Sequence, residues 1–387
     1  RETMARSVVL AAVLLAAAGV LADGGCQSGV CALEPRARKP AAVQPRRQPL
    51  TRLLAARPPQ ALSTTAVETG APGLLARLKM PLAFTCWYLF SIVYSIVNKL
   101  VLSNWNFPCT SAAAQLLVGV LTLLLLWTPI PLPGRAAPLQ ARAPPVLSLD
   151  DVRRLTPIAG CLAAGHLLST VAPAYGTVAF TNVVKTAEPL FTCLFSALFF
   201  GQIFPLPVYL SLVPVIAGVC LATASEVSFS AVSLVSGLLS NVAFAMRAIT
   251  AKRVMQGGEV GVNLTSQNLY GVLTAMALAM CIPVAIVFEG ARIVPGTLAT
   301  LATVGRARFM KQMLLLGTSH YFYNECAFLA LSSVHPITHA VANTVKRIAV
   351  ILISLLVFRN PLTLPGAVGS TVAIGGVLLY SLAKTRC

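Results

Sequence analysis

Between Pro81 and Lys384 the sequence is a succession of apolar runs, each about as long as a helix needs to cross a bilayer and each closed by a short turn carrying Pro, Gly or charge. That feature removes most folds from consideration, because a spanning segment has no water to satisfy its backbone and must be helical or part of a closed barrel. The runs are continuously apolar, without the alternation of a barrel wall, so helices are predicted. Ten spans are expected, at about 81–103, 107–128, 154–174, 177–201, 205–224, 229–251, 264–288, 310–333, 336–358 and 364–384. With 57% hydrophobic and only 10% charged residues, the 387-residue chain could not hide its apolar surface in one soluble core. The expected class is an all-α membrane protein, with the lipid bilayer as its first partner.

The ten spans divide into related halves, about 80–225 and 226–387. Sliding the chain by 158 residues, the distance from Gly218 to Gly376, also lays Pro207 on Pro365 and Val219 on Val377. If each half holds five spans, an odd number, the second half enters the membrane upside down. Two inverted five-helix repeats are a common transporter plan, with the substrate site near the midplane between them.

Residues before the first span read as an address. Residues 1–25 contain a positive flank at Arg6 and an apolar core of signal-peptide length, ending in small residues near Ala22. Residues 26–79 are rich in Arg, Pro, Ala and hydroxyl residues and poor in acids, the composition of an organelle transit peptide. A signal peptide followed by a transit peptide is expected of a plastid reached through the secretory route. Much of the excess of 29 Lys and Arg over 11 Asp and Glu lies there and in short loops. That distribution suits targeting and anionic substrates, and no nucleic-acid partner is expected. The ten cysteines are scattered without CxxC spacing and read as small core residues, so neither a metal nor another cofactor is predicted.

Cations inside spans are costly, roughly 2.5–3.5 kcal/mol each on insertion scales, and normally face a polar cavity. Here they form a set: Lys185 deep in the fourth span, Arg247 in the sixth, and Lys346 with Arg347 in the ninth. Lys99, Lys252 and Arg253 lie near span ends, where snorkelling to the interface accounts for them. Polar neighbours on other spans are His166, Ser169, Tyr321, Tyr323, Asn324 and Glu325. A phosphate monoester carries about −1.5 to −2 charges and three acceptor oxygens, so lysines from one half and a Lys-Arg pair from the other could surround it. Adjacent helical residues point about 100° apart. Lys346 and Arg347 therefore either flank a cavity from one wall or divide, one on phosphate and one on an acid such as Glu188 or Glu325. An intramembrane enzyme is disfavoured, because His166, Ser169 and Glu188 have no HExxH or GxSxG context.

The runs 180-FTNVVKTAEPLF-191, 239-LSNVAFAMRAITAKRVM-255, 321-YFYNECAFLAL-331 and 335-HPITHAVANTVKRIAVI-351 resemble the plastidic phosphate translocators, a branch of the drug/metabolite transporter superfamily. The resemblance covers nearly everything after residue 80. It implies a ten-helix carrier exchanging inorganic phosphate for a phosphorylated sugar or three-carbon acid across a plastid envelope, as monomer or homodimer. By motif, Lys185, Lys346 and Arg347 stand where the family binds phosphate, and Tyr323 and His166 where it touches the organic part of the substrate. Ser169 keeps the hydroxyl of a family threonine, and Arg247 completes the expected substrate-binding set. Asn182 replaces a frequent histidine, Leu100 a frequent lysine, and Glu325 a frequent glutamine. A carboxylate at Glu325 would repel an anionic substrate unless a cation pairs with it. The stretches 338-THAVAN-343 and 323-YN-324 look like members handling triose phosphate, 3-phosphoglycerate and phosphoenolpyruvate. Hexose or pentose phosphate carriers, and nucleotide-sugar transporters of the secretory pathway, are the alternatives within the superfamily.

Overall fold

The structure is a computed structural model that describes residues 74–129, 142–256, 260–333, 336–360 and 363–386. The signal-like segment 1–25 and nearly all of the transit-like segment 26–79 lie outside the described residues. Twelve helices follow one another among the described residues: α1 Leu74–Asn104, α2 Pro108–Trp127, α3 Leu149–Tyr175, α4 Val178–Val184, α5 Glu188–Phe200, α6 Leu206–Leu210, α7 Leu212–Ala224, α8 Ala231–Gln256, α9 Ser266–Val304, α10 Arg306–Ser333, α11 Pro336–Phe358 and α12 Leu364–Arg386. The chain is an all-α membrane protein. Each of the ten expected spans falls on a helix or on a pair of short consecutive ones. Eight stretches among the described residues are long and apolar enough to cross a membrane. The two that fall short are 178–200 and 306–333, and both are interrupted by the polar residues described below.

The fourth span is broken rather than continuous, for a local reason. Pro189 has no N–H to give the carbonyl of Lys185, so the chain tightens into a 3-10 turn over Lys185–Ala187, and the Glu188 N–H serves Lys185 instead. That switch strands the carbonyl of Val184. The Asn241 side-chain amide on α8 donates to it at 2.9 Å.

The seventh span also departs from expectation, continuing past residue 288 to Val304 as a 39-residue helix. At 1.5 Å per residue it is about 58 Å long, nearly twice the hydrocarbon thickness. The expected span stops just before Glu289. The Glu289 carboxylate is buried, and accepts the Cys109 and Thr110 N–H groups at 2.9 and 2.7 Å and the Thr110 hydroxyl at 2.6 Å. It caps the N-terminus of α2, where Phe107 cannot supply a side-chain cap. Trp105 donates to Thr297 at 3.1 Å, and the helix ends where Gly305 takes φ of 87°.

The most extensive helix pairings are α3 with α8, α1 with α10, α7 with α12, and α2 with α9. Exchanging each span for the one five later maps this set onto itself. At the α7–α12 crossing the backbones nearly touch: a Cβ on Gly218 would lie 2.3 Å from the Ala373 nitrogen, and one on Gly376 would lie 2.7 Å from the Val215 nitrogen. The 158-residue shift equates Gly218 with Gly376 and Val215 with Ala373, so the two contacts are mirror counterparts. Small residues permit this approach, and van der Waals packing then holds the helices together in lipid.

Two changes test these features by thermal unfolding in detergent. Gly218→Val should lower the melting temperature far more than Gly375→Val, because a Cβ at Gly375 meets nothing within 4 Å. Glu289→Ala should cost about 1.5–3 kcal/mol through loss of charge-assisted bonds to the α2 terminus. Equal melting temperatures for the two glycine variants would contradict the close crossing.

Candidate functional site

A cavity of about 240 Å³ is lined by residues from α1, α2, α3, the 3-10 turn and α5 and from α8 to α11. All seven residues predicted from sequence line it: His166 and Ser169 from α3, Lys185 from the 3-10 turn, Arg247 from α8, Tyr323 from α10, and Lys346 with Arg347 from α11. The break in the fourth span is what brings Lys185 there, at the point where two short helices meet. Its ammonium donates to the Ser169 hydroxyl, and His166 lies one turn away on the same face of α3.

The Lys-Arg pair divides its work while sharing the cavity. Arg347 donates through one guanidinium nitrogen to Glu188 at 3.0 Å, and its second terminal nitrogen has no hydrogen-bond partner. Lys346 lies 5.0 Å from the Trp87 ring and 5.8 Å from the Tyr323 ring. Aromatic faces attract a cation without neutralising it, so Lys346 is held but its charge remains available. The cavity wall thus carries Lys185, Arg247, Lys346 and Arg347 against the single carboxylate of Glu188. A guanidinium nitrogen with no partner and two ammonium groups lining the same cavity suit a small ligand with several anionic oxygens.

Glu325 does not line the cavity. It forms an ion pair with Arg142, from the segment before α3, and accepts from the Gln267 amide at 3.2 Å. Its charge is therefore compensated away from the site, and the repulsion expected of it does not arise there. Lys99 also differs from expectation: it does not snorkel, but donates to the carbonyls of Pro173 and Gly176, each at 2.9 Å. A cation there satisfies the exposed acceptors at the C-terminus of α3 and complements the helix dipole. Tyr321 points away from the cavity, packed on Tyr270 and Phe322. The side chains of Lys252 and Arg253 lie outside the described residues.

Sequence reasoning missed Trp87, His320 and His339. His339 stacks on Trp87 with ring centroids 5.0 Å apart, and His320 packs on His166 at 4.3 Å. All three line the cavity. Trp87 reads as one more aromatic in an apolar run, and only its register on α1, facing α11, distinguishes it. A weak signal existed for His320, a titratable residue at mid-span.

Residues 78–381 match the Triose-phosphate Transporter family. A chloroplastic triose phosphate/phosphate translocator of Flaveria trinervia is 35% identical over 328 residues, covering 84% of this chain and 77% of its own. Its counterpart in Zea mays is 33% identical over 358 residues, covering 92% and 83%. A chloroplastic xylulose 5-phosphate/phosphate translocator of Arabidopsis thaliana is 36% identical over 310 residues, covering 80% and 71%. With an all-α membrane fold, a family match over residues 78–381 and relatives about 35% identical over most of the chain, the chain belongs to the Triose-phosphate Transporter family and is a transporter, not an enzyme.

Proposed function

We propose that the protein exchanges inorganic phosphate for phosphorylated three-carbon metabolites, namely triose phosphate, 3-phosphoglycerate and phosphoenolpyruvate, across a plastid envelope membrane. The observation that carries this reading is the convergence of Lys185, Lys346 and Arg347 on one cavity, with four cations against one carboxylate among its lining residues. At about 240 Å³ the cavity is smaller than the roughly 300–1,000 Å³ of sites for drug-sized ligands, which favours a compact phosphate ester over a nucleotide sugar. The chloroplastic relatives and the address-like N-terminal region support the location. One relative is a xylulose 5-phosphate translocator, so a pentose phosphate is the second reading.

The same charges supply the mechanism. Lys185 belongs to the first half, and Lys346 with Arg347 to the second. We read the halves as inverted repeats, a reading supported by the mirrored crossing at Gly218 and Gly376. In an empty carrier, closing the cavity from both sides would desolvate several like charges together, an unfavourable step. A bound phosphate dianion compensates them and permits closure. Alternating access then proceeds only when loaded, and influx of one ester is coupled to efflux of another.

Exchange in liposomes tests the site. Lys185→Gln, Lys346→Gln and Arg347→Gln should each lose a charge-assisted contact worth roughly 1.5–3 kcal/mol. Phosphate affinity should therefore fall about 10- to 100-fold. Arg347→Lys should also lose exchange, because a point charge cannot hold Glu188 and reach the ligand as a planar fork does. Tyr323→Phe should alter the ranking of esters while inorganic phosphate still binds. Wild-type exchange in both lysine variants would show these cations to be structural. Removing residues 1–72 should leave exchange intact, since the whole cavity lies beyond them, and a counter-substrate panel separates three-carbon from pentose phosphates.

A further inference from the structure

The overlong end of α9 and the start of α10 form a corner that the phosphate reading does not use. Glu289 of α9 meets the start of α2 at Cys109, and further along the Thr300 hydroxyl donates to the Asn104 carbonyl, at the end of α1, at 3.3 Å. A short turn over residues 105–107 joins α1 to α2, so both contacts lie at one face of the membrane domain. Residues 290–304 therefore run across that face instead of standing straight out from it. Val294 and Leu298, one turn apart, are 64% and 62% exposed, an apolar stripe suited to the bilayer interface. After Gly305, α10 opens with three exposed cations, Arg306, Arg308 and Lys311. Met310 and Leu314 follow Arg306 at successive fourth positions, and Leu315 follows Lys311 likewise; all three apolar side chains are exposed. The cations thus continue the faces that α10 turns toward lipid.

Their depth can be read from the helix. His320 stands at the middle of Arg306–Ser333. At 1.5 Å per residue, Lys311, Arg308 and Arg306 lie about 14, 18 and 21 Å from it along the axis. Hydrocarbon ends about 15 Å from the midplane and the headgroup layer about 20–22 Å from it, so all three cations reach the headgroups, Lys311 by extending its stem. No carboxylate balances them: the ion pairs among the described residues lie elsewhere, Glu289 is spent on the start of α2, and Glu325, the acid of α10, pairs with Arg142. Cations in the first two turns of a helix also oppose its dipole, so they do not serve the helix itself. We propose that this corner is a docking surface for anionic phospholipids of the surrounding leaflet. Arg306, Arg308 and Lys311 take the headgroup phosphates, and the stripes Val294–Leu298 and Met310–Leu314 take the adjoining acyl region.

The test uses the full chain purified in a nonionic detergent with equimolar phosphatidylglycerol and phosphatidylcholine, and counts the bound lipids of each class by native mass spectrometry. One cation beside an anionic headgroup should contribute about a fivefold preference. The triple variant Arg306→Gln, Arg308→Gln, Lys311→Gln should therefore lose at least about tenfold of the wild-type preference for phosphatidylglycerol. Should that variant fail to fold, each single substitution should still lose about fivefold. Arg306→Lys with Arg308→Lys should keep the preference, because a leaflet is read by charge and not by a planar fork. Arg153→Gln, at an exposed cation already paired with Asp150, should leave it unchanged. An unchanged preference in the triple variant would overturn the proposal. Displacement of phosphatidylglycerol by inorganic phosphate, but not by chloride at equal ionic strength, would assign the cations to soluble anions and overturn it as well. Lipid binding in micelles involves neither transport nor orientation of insertion, so its failure is distinguishable from failure of the exchange reading.

Discussion

Four cations facing one small cavity inside a membrane protein form an arrangement that opposes itself. Each of Lys185, Arg247, Lys346 and Arg347 is costly to remove from water, and together they repel. The rest of the structure answers that difficulty. Glu188 neutralises one face of Arg347, Trp87 and Tyr323 cradle Lys346, and the Ser169 hydroxyl accepts from Lys185. These contacts orient the charges without cancelling them. What remains is a net positive charge that a bound phosphate ester largely offsets, so on the proposed mechanism the carrier closes more easily when loaded than when empty.

The fold brings Lys185, from the first part of the chain, and Lys346 with Arg347, from the last, to one cavity. The Lys185 side chain enters the cavity because Pro189 forbids a continuous helix, and Asn241 absorbs the resulting stranded carbonyl. Tight backbone crossing at Gly218 and Gly376 joins the α7–α12 flank, while Glu289 ties α9 to α2 on the other. Between these flanks, side chains bond to the backbone of neighbouring cavity-lining helices: Tyr88 of α1 donates to the Ala342 carbonyl of α11 at 2.7 Å, and Ser233 of α8 to the Ala172 carbonyl of α3 at 2.9 Å.

Much of this was legible in the sequence because lipid makes exceptions conspicuous. A lysine amid apolar residues has few explanations, so Lys185, Lys346, Arg347 and Arg247 could be gathered before any coordinates were known. Aromatic and histidine side chains are ordinary within spans. Trp87, His320 and His339 therefore gave little signal, and only helix register brought them to the cavity. The break at Lys185 was foreshadowed by Pro189 four residues on. The extension of α9 was not, since the Glu289 carboxylate that permits it is satisfied by backbone groups 180 residues earlier in the chain. Lys99 was misjudged for a similar reason: a lysine near a span end reaches water or a helix terminus equally well, and the choice depends on where α3 stops.

The central claim is that the buried cations make the loaded carrier, and not the empty one, the species that crosses between its two faces. Uptake of labelled phosphate into liposomes containing the purified protein, with and without unlabelled phosphate inside, measures this directly. The account predicts uptake at least about tenfold slower into vesicles lacking internal phosphate, with the loss restored by adding any transported ester inside. Equal initial rates in loaded and unloaded vesicles would show that the empty site closes freely, and would contradict the account.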